Sequence, residues 1–251
     1  MTDAALLERA QRLWTELAGT TVTFHATGID VAVSPQSWLC PPGWVGVVVL
    51  GNAAIATAPD ATAAELVRRA VHDLPASALT DPATLRDRLP IDRTLGPATL
   101  AYCDPATFRP TVLRPADPSI VEPIPADHPD LATLLTRVPP EDAEEADLAD
   151  ITSPAFVIRG AAGILAAAGY RTWPRNTAHL SVLTATAERG HGLARAAAST
   201  AVATALEAGL LPQWRARPEA SRRVARALGF SELGAQLSLR LLPADDQAPH
   251  P

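Results

Sequence analysis

Two rhythms of hydrophobic and polar positions run along this chain. From Ala4 to Leu17 the apolar residues Leu6, Leu7, Ala10, Leu13, Trp14 and Leu17 recur at helical spacing and predict an amphipathic helix. Extended stretches follow at Thr21 to Phe24, Ile29 to Val33, Trp44 to Leu50 and Ala53 to Ala56. The turn signals between them are Gly28, Pro41-Pro42-Gly43 and Gly51-Asn52. Asp60 then caps a helix reaching about His72, a short helix occupies Pro82 to Leu89, and a strand at Ala98 to Tyr102 closes the first half. Arg109 to Pro129 is proline-rich without sustained periodicity and reads as a linker. Leu131 to Val138 and Glu141 to Leu148 read as two further helices.

The second half is more regular. Ala155 to Arg159, Ile164 to Trp173 and Thr177 to Thr184 are strand candidates separated by short turns, which suits an antiparallel meander. A helix from about Gly192 to Ala208 stops at Gly209, and a strand occupies Leu211 to Ala216. The next helix opens with Pro218 and Glu219 and closes at Gly229, before a last strand at about Gln236 to Leu241. This divides the chain into an N-terminal α/β domain, 1–108, a C-terminal domain, 109–243, and a disordered tail, 244–251.

Composition narrows the class. With 251 residues, 47% hydrophobic and 19% charged, the chain suits a soluble globular protein with one large or two small domains. Neither a signal peptide nor a membrane-spanning run is visible, so a cytoplasmic protein without membrane association is expected. The net charge of −6 argues against nucleic acid as a partner, because phosphate contacts need a basic face. All the basic residues are arginine, which reads as codon bias. Cys40 and Cys103 match no metal-ligand spacing; reduced thiols and no metal are expected. The acidic run Glu141, Asp142, Glu144, Glu145, Asp147 and Asp150 reads first as a solvated helix face and second as a lip attracting a cationic substrate.

One turn carries most of the chemistry. In "TATAERGHGLARAAAS", Thr184 to Ser199, a strand ends, two glycines flank a histidine and an alanine-rich helix begins. The first backbone N–H groups of a helix have no partner within it, and the macrodipole adds positive potential there. A pyrophosphate can accept several of those bonds together. Gly190 and Gly192 permit close approach and unusual dihedrals, and Arg189 brings a fixed cation. Leu193, Ala197, Ala201 and Ala205 form a stripe of mostly small residues that lets the helix sit low on a sheet. Glycines alone would equally suit a turn with no ligand. A dinucleotide-binding turn fits poorly, because Arg195 stands where its third glycine belongs and the next strand offers Arg215 and Arg217 in place of an acid.

Arg189-x-x-Gly192-x-Ala194 resembles the R/Q-x-x-G-x-G/A motif of the GNAT (Gcn5-related N-acetyltransferase) superfamily. "AHLSVLT" resembles that family's fourth strand, and "ASRRVARALGF", Ala220 to Phe230, its later helix ending in Leu-Gly-Phe. The resemblance covers roughly Val112 to Leu241. It implies an α+β fold: a mixed, mostly antiparallel sheet flanked by helices, here preceded by a smaller α/β N-terminal domain. It further implies acetyl-CoA as acyl donor, its pantetheine arm lying between the parted fourth and fifth strands against Val182, Leu183 and Thr184. The pyrophosphate would rest on Arg189, Gly190, His191, Gly192, Leu193 and Ala194.

The implied activity is N-acetylation of a small-molecule or protein amine by direct attack on the thioester. Such a reaction needs a base for the ammonium proton, an acid for the thiolate, and backbone donors for the developing oxyanion. Thr177, His179 and Ser181 alternate with apolar neighbours, which puts His179 on the more polar face and makes it the candidate base. A histidine hydrogen-bonded into the sheet is the competing reading. Many relatives place a tyrosine after Leu-Gly-Phe, yet Ser231, Glu232 and Leu233 stand there; Tyr170 is a remote substitute. Pro218 replaces an asparagine of the family's N-x-x-S pattern, leaving only Ser221, which reads as an ordinary helix position or a cofactor contact. The N-terminal half, without a glycine cradle at Pro59-Asp60-Ala61-Thr62, is either a degenerate sister domain or an accessory domain. The alternative to an enzyme is a non-catalytic acyl-CoA-binding regulatory module. Acceptor identity and oligomeric state leave no trace in the motifs.

Overall fold

The computed structural model describes residues 3–111, 120–161 and 163–243. In chain order the first elements are α1 (Asp3–Leu17), β1 (Ile29–Val33), β2 (Val45–Leu50), β3 (Ala53–Ala58), α2 (Ala61–Val71), α3 (Pro82–Arg86) and β4 (Ile91–Tyr102). β5 (Val121–Ile124), α4 (Pro129–Thr136), α5 (Pro140–Ala146), β6 (Ala155–Gly160), β7 (Gly163–Trp173) and β8 (Thr177–Thr184) follow. The chain continues through α6 (Leu193–Glu207), β9 (Leu211–Ala216), α7 (Glu219–Ala227) and β10 (Ser231–Leu241). Among the described residues no helix is long and apolar enough to cross a membrane.

Contacts group these elements into two compact units. One is Ala101–Glu232; the other joins the described residues up to Leu100 with those from Leu233 on. The expected division at 108/109 placed β10 with the C-terminal half, whereas by contact most of it groups with the N-terminal elements. The expected tail, 244–251, lies outside the described residues.

In the unit holding the N-terminal elements the strand order is β1-β3-β2-β10-β4, with β1 parallel to β3 and β2 antiparallel to both β3 and β10. Every residue of β2 and β3 is buried, so both faces of this part of the sheet are covered. One core gathers Val47, Val49, Ala56, Val67, Leu85 and Leu237. Asp60 caps α2 as its sequence position implies, accepting from Ala63 N at 2.8 Å. The strand expected at Thr21 to Phe24 is absent: Thr23 N donates to the Asp30 carboxylate at 2.9 Å, a side-chain bond in place of a ladder.

In the other unit the order is β9-β8-β7-β6-β5, antiparallel except for the β8–β9 pair. The sheet is therefore mixed and mostly antiparallel with flanking helices, as the fold class expected. Two cores lie here. One packs Ala197, Ala201 and Ala205 of α6 with Phe156, Ile158, Ala168, Ala178 and Leu180; the other gathers Leu131, Leu134, Leu148, Val157, Ala167 and Leu183. The linker reading is corrected at β5, a four-residue edge strand that tolerates Pro123 because an edge leaves some N–H groups without ladder partners. Residues 112–119 of that linker lie outside the described residues.

Candidate functional site

The site begins where two strands stop pairing. β8 and β9 run parallel through only three partners, Thr177↔Leu211, Ala178↔Pro212 and His179↔Gln213. β8 nevertheless continues to Thr184, held on its other side by β7 as far as Ala166↔Thr184, and β9 continues to Ala216. The two arms part beyond His179 and Gln213, and a cavity of about 450 Å³ opens between them, within the range of small-molecule sites. Leu180 and Val182 form one wall and Trp214 and Arg215 the other. Trp214 Nε1 donates to Ser221 Oγ at 2.9 Å, tying β9 to α7. Ser221 is thus both a cavity residue and a structural acceptor.

At the mouth stands the glycine turn. Gly190 and Gly192 adopt φ of 86° and 79°, the left-handed region in which other L-residues are strained. No atom lies within 4 Å of a Cβ built on either, so the dihedral and not local crowding requires glycine. Gly192 is the N-cap of α6 and offers no side-chain cap; the first intrahelical bond is Ala196 N to Gly192 O, 3.1 Å. The N–H groups of Leu193, Ala194 and Arg195 therefore precede the helical ladder at its positive end.

Eight of the nine expected cofactor residues line this one cavity: Val182, Leu183 and Thr184 on β8, then Arg189, Gly190, Gly192, Leu193 and Ala194 around the turn. His191 is exposed and turned to its own loop, its Nδ1 3.2 Å from Glu188 O. Among the described residues, Thr184 Oγ1 and Gln213 Nε2 are the two buried side-chain polar atoms without a hydrogen-bond partner. The first belongs to Thr184, a cavity-lining residue.

The structure does not bring His179 to the cavity wall. Its ring is 4% exposed, stacked on Trp173 at a centroid distance of 4.1 Å, with Nδ1 hydrogen-bonded to Gln213 Oε1. Burial, then the positive Arg215, push its pKa down to about 3, so the ring is neutral and weakly basic. Strand alternation identified its face correctly but could not reveal that other side chains cover that face. Tyr170, the remote acid candidate, is 7% exposed within the α6 core; burial raises its pKa, and it too is absent from the cavity wall.

Charged residues line the cavity too. Arg195, Arg215 and Arg223, not anticipated there, join Arg189, opposed by Glu188 and by Asp142 and Glu145 of the acidic run. The acidic run is not simply a solvated face, since Asp142 pairs with Arg189 at 2.7 Å and Glu145 accepts from Arg217 N at 3.1 Å. The sequence held one signal for the α7 wall: Ala220, Arg223, Val224 and Ala227 follow i, i+3, i+4, i+7 spacing and all line the cavity. That spacing marks a shared face without saying what the face meets.

Residues 155–235 match the model of the GNAT acetyltransferase family. No curated protein matches the chain. Among solved structures, a GNAT-family protein from Novosphingobium aromaticivorans is 21% identical with a TM-score of 0.46, over 59% of this chain and 65% of that one. A GCN5-related N-acetyltransferase from Kribbella flavida is 19% identical with a TM-score of 0.46, over 62% of each chain. A GCN5-related N-acetyltransferase-like protein from Streptococcus suis is 16% identical with a TM-score of 0.45, over 95% of this chain and 99% of that one. The chain thus spans slightly less than two thirds of the first two structures.

Proposed function

We propose, from the match of residues 155–235 to the GNAT acetyltransferase model, that the protein is an acetyl-CoA-dependent N-acetyltransferase acting on an amine of a small molecule or protein. One observation carries the reading: a cavity between two parted strands with an uncapped helix N-terminus, two left-handed glycines and an arginine at its mouth. The residues suit the donor's two chemically different parts. Leu193, Ala194 and Arg195 N–H groups and the Arg189 guanidinium hold the pyrophosphate. Leu180, Val182 and Trp214 would give the pantetheine arm apolar walls.

Acetyl-CoA, when bound, supplies an activated thioester. The chain's own part is then to align that carbonyl along β8, exclude water and orient the amine, effects that together account for much of an acyl-transfer rate. With His179 neutral and enclosed, solvent would take the ammonium proton and would protonate the departing thiolate. Isothermal titration with acetyl-CoA tests the cofactor, and absence of binding at millimolar ligand sinks the proposal. Thiol release with a panel of amines tests catalysis. Binding without release would instead favour a regulatory acyl-CoA-binding module, in keeping with a cavity wall that has no Tyr, His or Cys among the described residues.

A further inference from the structure

Helix α5 holds both arms of the parted strands. Asp142 accepts from Arg189 Nη2 at 2.7 Å, in the turn beyond β8. Three residues on, and so on the same side of the helix, Glu145 accepts from the Arg217 backbone N–H at 3.1 Å and pairs with its guanidinium, just beyond β9. The C-terminal end of α5 is fixed separately, by buried Ala146 and by Ser181 Oγ donating to Asp147 O at 3.2 Å. Both acids line the cavity. The helix therefore hangs from β8 at one end while its carboxylates grip a cation on each arm.

We propose that α5 is an anion-released clasp: a pyrophosphate arriving at the glycine turn displaces Asp142 from Arg189 and frees the first turn of the helix. The proposal rests on reading the cavity as a CoA site. Its physical basis is that Arg189 serves two anions. A carboxylate 2.7 Å from the guanidinium cancels positive potential at the place where phosphate oxygens need it, and the two anions repel each other. Arg189 and Asp142 are 46% and 32% exposed, so the contact is weak enough for a multiply charged ligand to exchange. Linkage makes the effect reciprocal: whatever the clasp takes from ligand affinity, the ligand returns as opening of α5.

The test is calorimetric titration of the full chain with CoA at low ionic strength, for the parent, Asp142→Asn and Glu144→Gln. Glu144 is exposed, lies on the same helix and is absent from the cavity wall, so its variant removes the same charge without touching the clasp. Asp142→Asn is expected to bind CoA about two- to fivefold tighter, the scale of a half-exposed ion pair, with Glu144→Gln close to the parent. Hydrogen exchange across residues 139–146 of the parent is expected to quicken when CoA binds. Unchanged or weaker binding by Asp142→Asn overturns the clasp, as does equal tightening by Glu144→Gln, which would indicate a general field. Slower exchange in α5 on binding also overturns it. If the parent binds no CoA, the cofactor reading itself falls; if the parent binds and Asp142→Asn gains nothing, the clasp alone falls.

Discussion

Replacing Gly192 by alanine separates what the turn costs from what it does. The residue sits at φ 79° with no atom within 4 Å of the added methyl, so the folded chain meets no clash. The penalty is the left-handed backbone alone, roughly 1–2 kcal/mol for an L-residue. In a chain of this size that lowers the melting temperature by about 2–8 °C. The methyl would project from the turn that precedes the Leu193, Ala194 and Arg195 N–H groups, the ones proposed to receive phosphate. Loss of one charge-assisted bond there costs about 1.5–3 kcal/mol, or roughly 10- to 150-fold in affinity. Gly229 provides the contrast, because a Cβ on it would meet Thr107 O at 1.9 Å, a backbone atom that cannot swing away. Gly229→Ala should therefore unfold far more readily than Gly192→Ala. Thermal melts and acetyl-CoA titrations on the two variants check both halves. Gly192→Ala binding within twofold of the parent, with the small thermal loss still present, refutes the anion-cradle argument.

Arg189→Lys should weaken acetyl-CoA binding about tenfold, because an ammonium cannot reproduce a forked guanidinium contact; equal affinity in titration would count against a direct phosphate role. His179 predicts a pH effect on stability. Its folded pKa, about 3, lies below the unfolded value near 6.5, so falling pH favours the unfolded chain. The loss is about 1.4 kcal/mol per pH unit below 6.5, roughly 2 kcal/mol by pH 5. Urea midpoints at pH 7 and pH 5 should differ less for His179→Gln than for the parent, and equal differences would contradict the neutral buried ring. Ala201→Leu, on the fully buried face of α6, should destabilise by about 1–3 kcal/mol through overpacking, whereas an unchanged urea midpoint would reveal slack beneath the helix.

What the sequence discloses is what short-range chemistry enforces. Alternation along Ala155–Thr184 and the Gly209 and Gly229 stops located β6 to β8, α6 and α7 because each depends on neighbours a few residues away. β5 escaped because four residues including Pro123 show no alternation, and the first half of β4 because Gly96-Pro97 interrupts its pattern. The glycine turn was legible for the same local reason, since left-handed dihedrals demand glycine. The parting of β8 and β9 entered only through the family resemblance, because the register of two parallel strands separated by a helix is a long-range fact. The partners of Asp142 and Glu145, which lie 47 and 72 residues away along the chain, were not legible.

The same limit explains the histidine. His179↔Gln213 is the last paired rung before the arms separate, and the two side chains are hydrogen-bonded across that rung with Trp173 stacked against the ring. A side-chain bond at that point ties β8 to β9 where the ladder between them ends. Beyond it, Leu180 and Trp214 turn to opposite walls of the cavity. The polar face detected by alternation is therefore real, but its histidine works by fixing where the strands diverge. A charged imidazole is disfavoured there by burial and by the nearby Arg215 and Arg171, which together select the neutral ring. His179 accordingly belongs to the construction of the cavity, buried at the last paired rung and outside its wall.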